Sequence, residues 1–199
     1  MLGLLLPVAL SAMAAALRAG SLAGLRRLRI DWWPLALGSI ALHLVLHNPP
    51  FNQQVWALDV GPGLWVICLA VMLAVLLRNA SLGGPMSTAW RMAAVGIALN
   101  MTVVVANGGY MPQSPEARVA ARGAALGADG GPTLLHNVVP LNTDARLAWL
   151  ADVIPQPRWL PKANVVSVGD LILSLGIAWL VFLAIAGRAS QEVGRTTDS

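Results

Sequence analysis

Long apolar runs, separated by short polar stretches, dominate this chain. A helix that crosses a bilayer needs about 20 largely apolar residues, with about 17 as the lower limit. Five segments approach that length: 2–17, 32–47, 56–77, 89–106 and 168–186. The first two are short and suit little tilt or a thinned bilayer edge. Gly61-Pro62-Gly63 interrupts the third and predicts either a kink or a later helix start. Small residues recur along the last two, as Ala94, Gly96 and Ala98, then Gly169, Gly176 and Ala178. Such residues let helix backbones approach where lipid supplies no hydrophobic drive.

The segment 107–167 is too long for a simple connection. Its first part, rich in Ala and Gly, predicts a short amphipathic helix over Glu116–Leu126 with Arg118 and Arg122 on one face, or else a flexible tether. Its second part sets Leu147, Trp149, Leu150, Val153 and Ile154 among several prolines. That is too apolar to float in water, so it is expected to fold back over the outer mouth of the bundle. The pattern predicts an all-α membrane protein. Residues 1–199 form one integral-membrane domain of about five transmembrane helices, with a long extracytoplasmic region, 107–167, capping the outer face.

Composition agrees. Of the 199 residues, 57% are hydrophobic and 11% charged, and mean hydropathy is +0.68. Soluble domains carry about 25% charged residues, so an ordinary soluble enzyme and a disordered chain are both excluded. The net charge of +4 does not point to nucleic acid, because no basic stripe carries interleaved aromatics. Eight of the 13 Lys and Arg residues instead flank apolar runs: Arg18, Arg26, Arg27, Arg29, Arg78, Arg91, Arg188 and Arg195. The loop 48–55 has none. The positive-inside rule then places the N-terminus outside and the C-terminus in the cytoplasm.

The first run has an Ala12-Met13-Ala14 stretch like a signal peptide but no basic residue before it, and is read as an uncleaved helix. Trp32, Trp33, Trp56 and Trp90 fall at span starts, where tryptophan favours the headgroup level, while Trp65 and Trp179 are expected to pack inside. The single cysteine, Cys68, reads as a small buried apolar residue.

Candidate chemistry is sparse. Asp170 opens the fifth run. It is either a first-turn anion that caps its helix or, as an ionisable group beside hydrocarbon, a functional residue. Asp152 lies in an apolar run, and Asp144 stands two residues from Arg146, near enough for a loop ion pair. Asp170 meeting Asp144 or Asp152 in a low-dielectric site would share a proton and could activate water. Asn107, Gly108, Gly109 and Tyr110 follow the fourth run. They form either a helix C-cap or a cradle of free amides for a carbonyl or headgroup, with Arg146 as a further binding candidate. His43 and His47, one turn apart, are the weak candidates for a metal, which would need a third ligand; His136 is the other histidine. Asn100, within the fourth run, is expected to bond between helices. No Walker loop, dinucleotide fingerprint or haem motif occurs, so no cofactor is expected.

Three stretches carry a resemblance: Val105-Ala106-Asn107-Gly108-Gly109-Tyr110-Met111-Pro112, Arg146 to Pro155, and Val166-Ser167-Val168-Gly169-Asp170. They are similar to a bacterial family of multi-pass membrane proteins known as domain of unknown function 5317. The resemblance implies a bacterial inner-membrane location and supplies no activity. A looser likeness is to lipoprotein signal peptidase, a membrane aspartyl protease. Asp144 with Arg146, the Ser167 to Asp170 stretch, and an echo in Asn107 to Tyr110 look similar to its motifs.

Two functions follow as expectations. The first is a non-enzymatic accessory or scaffold subunit that packs with membrane lipids and a partner membrane protein or a second copy, through small-residue faces and the cap. The alternative is a membrane-embedded aspartyl hydrolase using Asp170 with Asp144 or Asp152. A transporter is disfavoured, since few polar residues lie mid-span.

Overall fold

The computed structural model describes residues 28–46, 54–123, 137–161 and 163–196, with positions 10, 12–17, 25, 48, 50 and 51. The predicted first span therefore falls largely outside the described residues, as do His47 and His136.

The other four apolar runs are helices: α1 (Trp33–Leu46), α2 (Val55–Ser81), α3 (Ser87–Ala106) and, after a cap of short elements, α5 (Val168–Thr196). Within them Asp59–Ser81, Ser87–Ala106 and Val168–Ala186 are long and apolar enough to cross a membrane. The 14 residues of α1 reach only about 21 Å, short of a hydrocarbon core of about 30 Å. Its start is set by Trp32, which turns left-handed at φ 61° and whose carbonyl accepts the amides of Leu35 and Ala36. Helix α2 runs through Pro62, so the Gly-Pro-Gly stretch does not delay the helix start.

Helix α3 is central, packed on α2 at one side and α5 at the other, with α1 against α2. Leu76 and Ala80 of α2, Trp90, Ala93 and Ile97 of α3, and Leu180 of α5 form one buried cluster. Trp90 is thus a core residue, not the headgroup anchor expected from its position at the start of a span. Trp179 differs in the opposite sense: it is exposed, on an outward face. Leu35, Leu37, Ile67, Val95 and Leu175 also point outward. Helices with apolar residues on every side are those that lie in lipid or deep in a core.

The small residues of α3 and α5 face each other. A Cβ built on Gly96 would lie 2.6 Å from the Gly169 carbonyl oxygen, and one on Gly176 would lie 2.6 Å from the Ala93 nitrogen. Only glycine permits that approach. At the end of the bundle away from the cap, Arg78 pairs with Asp31 at 3.1 Å, and the Asn79 side chain accepts from the Asp31 amide and donates to the Asp31 carbonyl.

The cap contains two small strand pairs and a helix. Strand β1 (Met111–Gln113) runs parallel to β2 (Val138–Pro140), and β3 (Ile154–Pro155) pairs antiparallel with β4 (Val165–Val166). Helix α4 (Pro115–Arg122) begins with Ser114 as N-cap and Pro115 in the first turn, and ends on Gly123 at φ 80°. It stops short of the predicted Leu126. It buries Ala117 and Ala121 on one side, and its arginines, Arg118 half-buried and Arg122 exposed, bond to neighbouring parts of the cap. Arg122 donates to the Ala163 carbonyl and the Asn164 side chain, and Arg118 donates to Gln113. Arg158 in turn donates to the Val119 and Ala120 carbonyls at the helix end.

Candidate functional site

Asp170 stands in the first turn of α5, whose free N–H groups attract an anion. Ser167 and Asp170 form a reciprocal cap. The Asp170 amide donates to Ser167 Oγ at 3.0 Å, and the Ser167 amide donates to Asp170 Oδ2 at 3.3 Å. Helix α3 adds a brace: Asn100 Nδ2 donates to Asp170 Oδ1 at 2.7 Å, and Ser167 Oγ donates to Asn100 Oδ1 at 2.8 Å. Asn100 therefore bonds between helices as its mid-span position suggests. Asp170 is both a helix cap and something more, because it also lines a cavity.

That cavity, of about 340 Å³, lies between the four long helices and the cap. Asp152 lines it from the cap side. The backbone holds Asp152 on both sides of the residue: its amide donates to the Pro112 carbonyl and its carbonyl accepts from Ser114, bridging it to β1. Gln113, almost fully buried, donates through Nε2 to Asp152 Oδ2 at 3.3 Å and accepts from Arg118. Asp152 is 7% exposed, and its Oδ1 has no hydrogen-bond partner among the described residues. Burial, and then the neighbouring Asp170, push the Asp152 carboxyl up to about 8 against the opposing pull of Gln113. At neutral pH it carries its proton.

The two carboxyls thus have different surroundings. Asp152 is buried, protonated and short of a partner. Asp170 has an N–H donor on each oxygen. Polar residues gather where bundle meets cap, with Asn100, Asn137 and Asn164 beside the two acids. Deeper along the helices the walls are Leu69, Met72, Ile97 and Leu173. From Trp65 to Met72 the lining follows α2 for about 10 Å.

Of the two pairings considered from sequence, the structure brings Asp152 and not Asp144 to the cavity shared with Asp170. Asp144 is exposed on a loop, where its amide donates to the Asn142 side chain, and it does not line the cavity. It makes no ion pair with Arg146; among the described residues the ion pair is Arg78 with Asp31. The Asn107–Tyr110 stretch is a helix cap, not a cradle of free amides. The Asn107 and Gly108 amides bond carbonyls of the last turn of α3, Gly109 bonds Val104, and Tyr110 bonds the Asn107 carbonyl. Gly108 and Gly109 take φ of 69° and 93°, and a side chain on Gly109 would strike Pro62 of α2. Asn107 clamps Arg146 instead, accepting its amide at 2.9 Å and donating to its carbonyl at 2.9 Å.

His43 lines the cavity with its ring 6.3 Å from that of Trp65. Among the described residues no group of three His, Cys, Asp or Glu side chains is placed to hold a metal. Cys68 is buried, and its carbonyl accepts from Ser39 Oγ. Gln113 and Ser167 are the site residues that sequence reasoning missed. Ser167 three residues before Asp170 is a legible capping pattern, whereas nothing local marks Gln113.

No curated protein and no solved structure matches this chain, and the likeness to lipoprotein signal peptidase is not shown. A family model does match, over residues 27–182, which take in α1, α2, α3, the whole cap and most of the last apolar run. The chain belongs to the family of unknown function DUF5317.

Proposed function

We propose that the chain is a five-span protein of the bacterial inner membrane, N-terminus outside and C-terminus cytoplasmic, whose cap closes over an outer-leaflet pocket for an amphiphilic molecule. Spans at 2–17, 32–47, 56–77, 89–106 and 168–186 leave the cap, 107–167, outside. The outward apolar faces support burial in lipid. Arg78 and Arg91 lie toward the end of the bundle away from the cap, as the positive-inside rule requires of a cytoplasmic end. One observation carries the pocket: the Asp152 carboxyl, buried in the cavity wall, has an oxygen with no hydrogen-bond partner among the described residues. A buried polar atom without a partner costs about 1–3 kcal/mol, which a ligand donor would offset.

This reading takes the place of a scaffold role built on small-residue faces. Gly96, Gly169 and Gly176 face each other's helices inside the chain, so a partner would not find them on the surface.

The test is native mass spectrometry of the full chain in mild detergent with added single-chain amphiphiles. The expected result is one bound molecule, lost in Leu69→Trp, which fills the apolar end of the cavity. Equal adduction of the parent and Leu69→Trp proteins would refute the pocket.

A second reading, hydrolysis, draws on the contrast between the two carboxyls. Asp170 would take a proton from water as the water oxygen bonds to an acyl carbon. Asp152 would give its proton to the acyl oxygen. Collapse of the diol then breaks the bond to the leaving nitrogen or oxygen, which takes the proton from Asp170, while Asp152 recovers its own. Release of a free acid from an added N-acyl amphiphile, in the same spectra, marks hydrolysis; an intact ligand marks binding alone.

A further inference from the structure

We infer that the cavity takes a single-chain amphiphile with a cationic amine head, the head at Asp152 and Asp170 and the chain between α1, α2, α3 and α5. The inference rests on the pocket reading above and names its ligand class.

Charge decides the head. Among the described residues that line the cavity there is no Lys or Arg, while two are Asp. Among these lining residues a phosphate or carboxylate head would find no cation to compensate its charge, and a buried charge without a partner is costly. An ammonium carries three donors and no acceptor. The site offers acceptors: Asp152 Oδ1, which has no partner among the described residues, and the remaining lone pairs of the Asp170 carboxyl oxygens. The Asn100 carbonyl is already taken by Ser167, and Asn164 Oδ1 by Arg122, which leaves the acids, with the Asn137 amide, to receive a donor. Burying one positive charge against the pair also converts an isolated buried acid into a partnered ion, the form in which buried charge is tolerated.

Size decides the tail. About 340 Å³ is near the lower end of the ~300–1,000 Å³ typical of small-molecule sites, which suits one chain. The deeper walls, Leu69, Met72, Ile97 and Leu173, are apolar and offer that chain nothing to bond.

The experiment uses the full chain in mild detergent with three probes of equal length: dodecylamine, dodecanol and dodecanoate. Affinity is read by ligand-dependent thermal stabilisation and checked by native mass spectrometry. Dodecylamine is expected to bind at least about tenfold more tightly than dodecanol, the least that one charge-assisted hydrogen bond contributes, with dodecanoate weakest. Asp152→Asn should erase the amine preference, and Leu69→Trp should weaken all three. Equal binding of the three probes, or a preference for dodecanoate, overturns the amine assignment and leaves the pocket standing. Binding of all three that Leu69→Trp leaves unchanged overturns the pocket itself. The ranking in the unaltered protein decides the matter even where Asp152→Asn fails to fold.

Discussion

Replacing Gly96 with Ala tests the packing on which the site depends. The added Cβ would sit 2.5 Å from the Leu173 nitrogen, 2.6 Å from the Gly169 oxygen and 2.8 Å from the Leu173 Cα. These are backbone atoms of α5 and cannot swing aside. Non-bonded carbons rest about 3.5–4.0 Å apart, so α3 and α5 must separate by about 1 Å. Asn100 lies one turn along α3 from Gly96. Its 2.7 Å bond to Asp170 would stretch beyond hydrogen-bond range. Overpacking costs about 1–3 kcal/mol, and a buried acceptor left without its donor a further ~1–3 kcal/mol. The sum, about 2–6 kcal/mol, corresponds in a chain of this size to a Tm lower by roughly 4–24 °C.

Gly38→Ala supplies the control. Nothing lies within 4 Å of the Cβ position at Gly38, inside α1. There the substitution should stabilise the helix by up to about 1 kcal/mol, the intrinsic preference for Ala over Gly. Thermal melts of the three proteins in one detergent compare them directly. A Gly96→Ala protein that melts with the parent, or a Gly38→Ala protein that melts as low as Gly96→Ala, would refute this account of α3 and α5.

Two further outcomes follow. Asp152 holds its proton more tightly folded than unfolded, so folded stability should fall as pH rises from about 4 to about 8 and level off above. For this group alone the slope is at most about 1.4 kcal/mol per pH unit. Asp152→Asn should flatten it, and an unchanged slope in that variant would assign the dependence elsewhere. Cysteine labelling in intact cells should find residue 149 or 159 reactive from the outside, since Trp149 and Trp159 are the most exposed cap residues of their kind, and residue 82 protected. The reverse pattern would invert the orientation.

Much of the bundle was legible because its signal is local. An apolar run long enough to cross lipid has to satisfy its amides within itself, and α2, α3 and α5 follow from that alone. Asn107-Gly108-Gly109 ends α3 for reasons equally local, and Asn100 was marked by being polar among Val, Ile and Leu. The cap was legible only as too apolar to float. Its strands are two or three residues long, too short for any alternation to show, and their partners are distant in sequence. For the same reason nothing in the sequence chose Asp152 over Asp144 as the neighbour of Asp170. That choice is made by the pairing of β1 with the Asp152 backbone, a long-range contact. Trp90 misled because a tryptophan at a span start is usually a headgroup anchor, and here the neighbouring helices cover it.

The bridge from Asn100 to Asp170 also bears on how the chain is made. A ribosome delivers α3 well before α5, so Asn100 is already in place when the last apolar run emerges. That run begins with an acid and would enter oil more readily beside a ready amide than alone. On the membrane-spanning reading proposed above, the final helix depends on an earlier one for admission, and a chain lacking that amide should stall at its last step of insertion while its earlier helices enter as before.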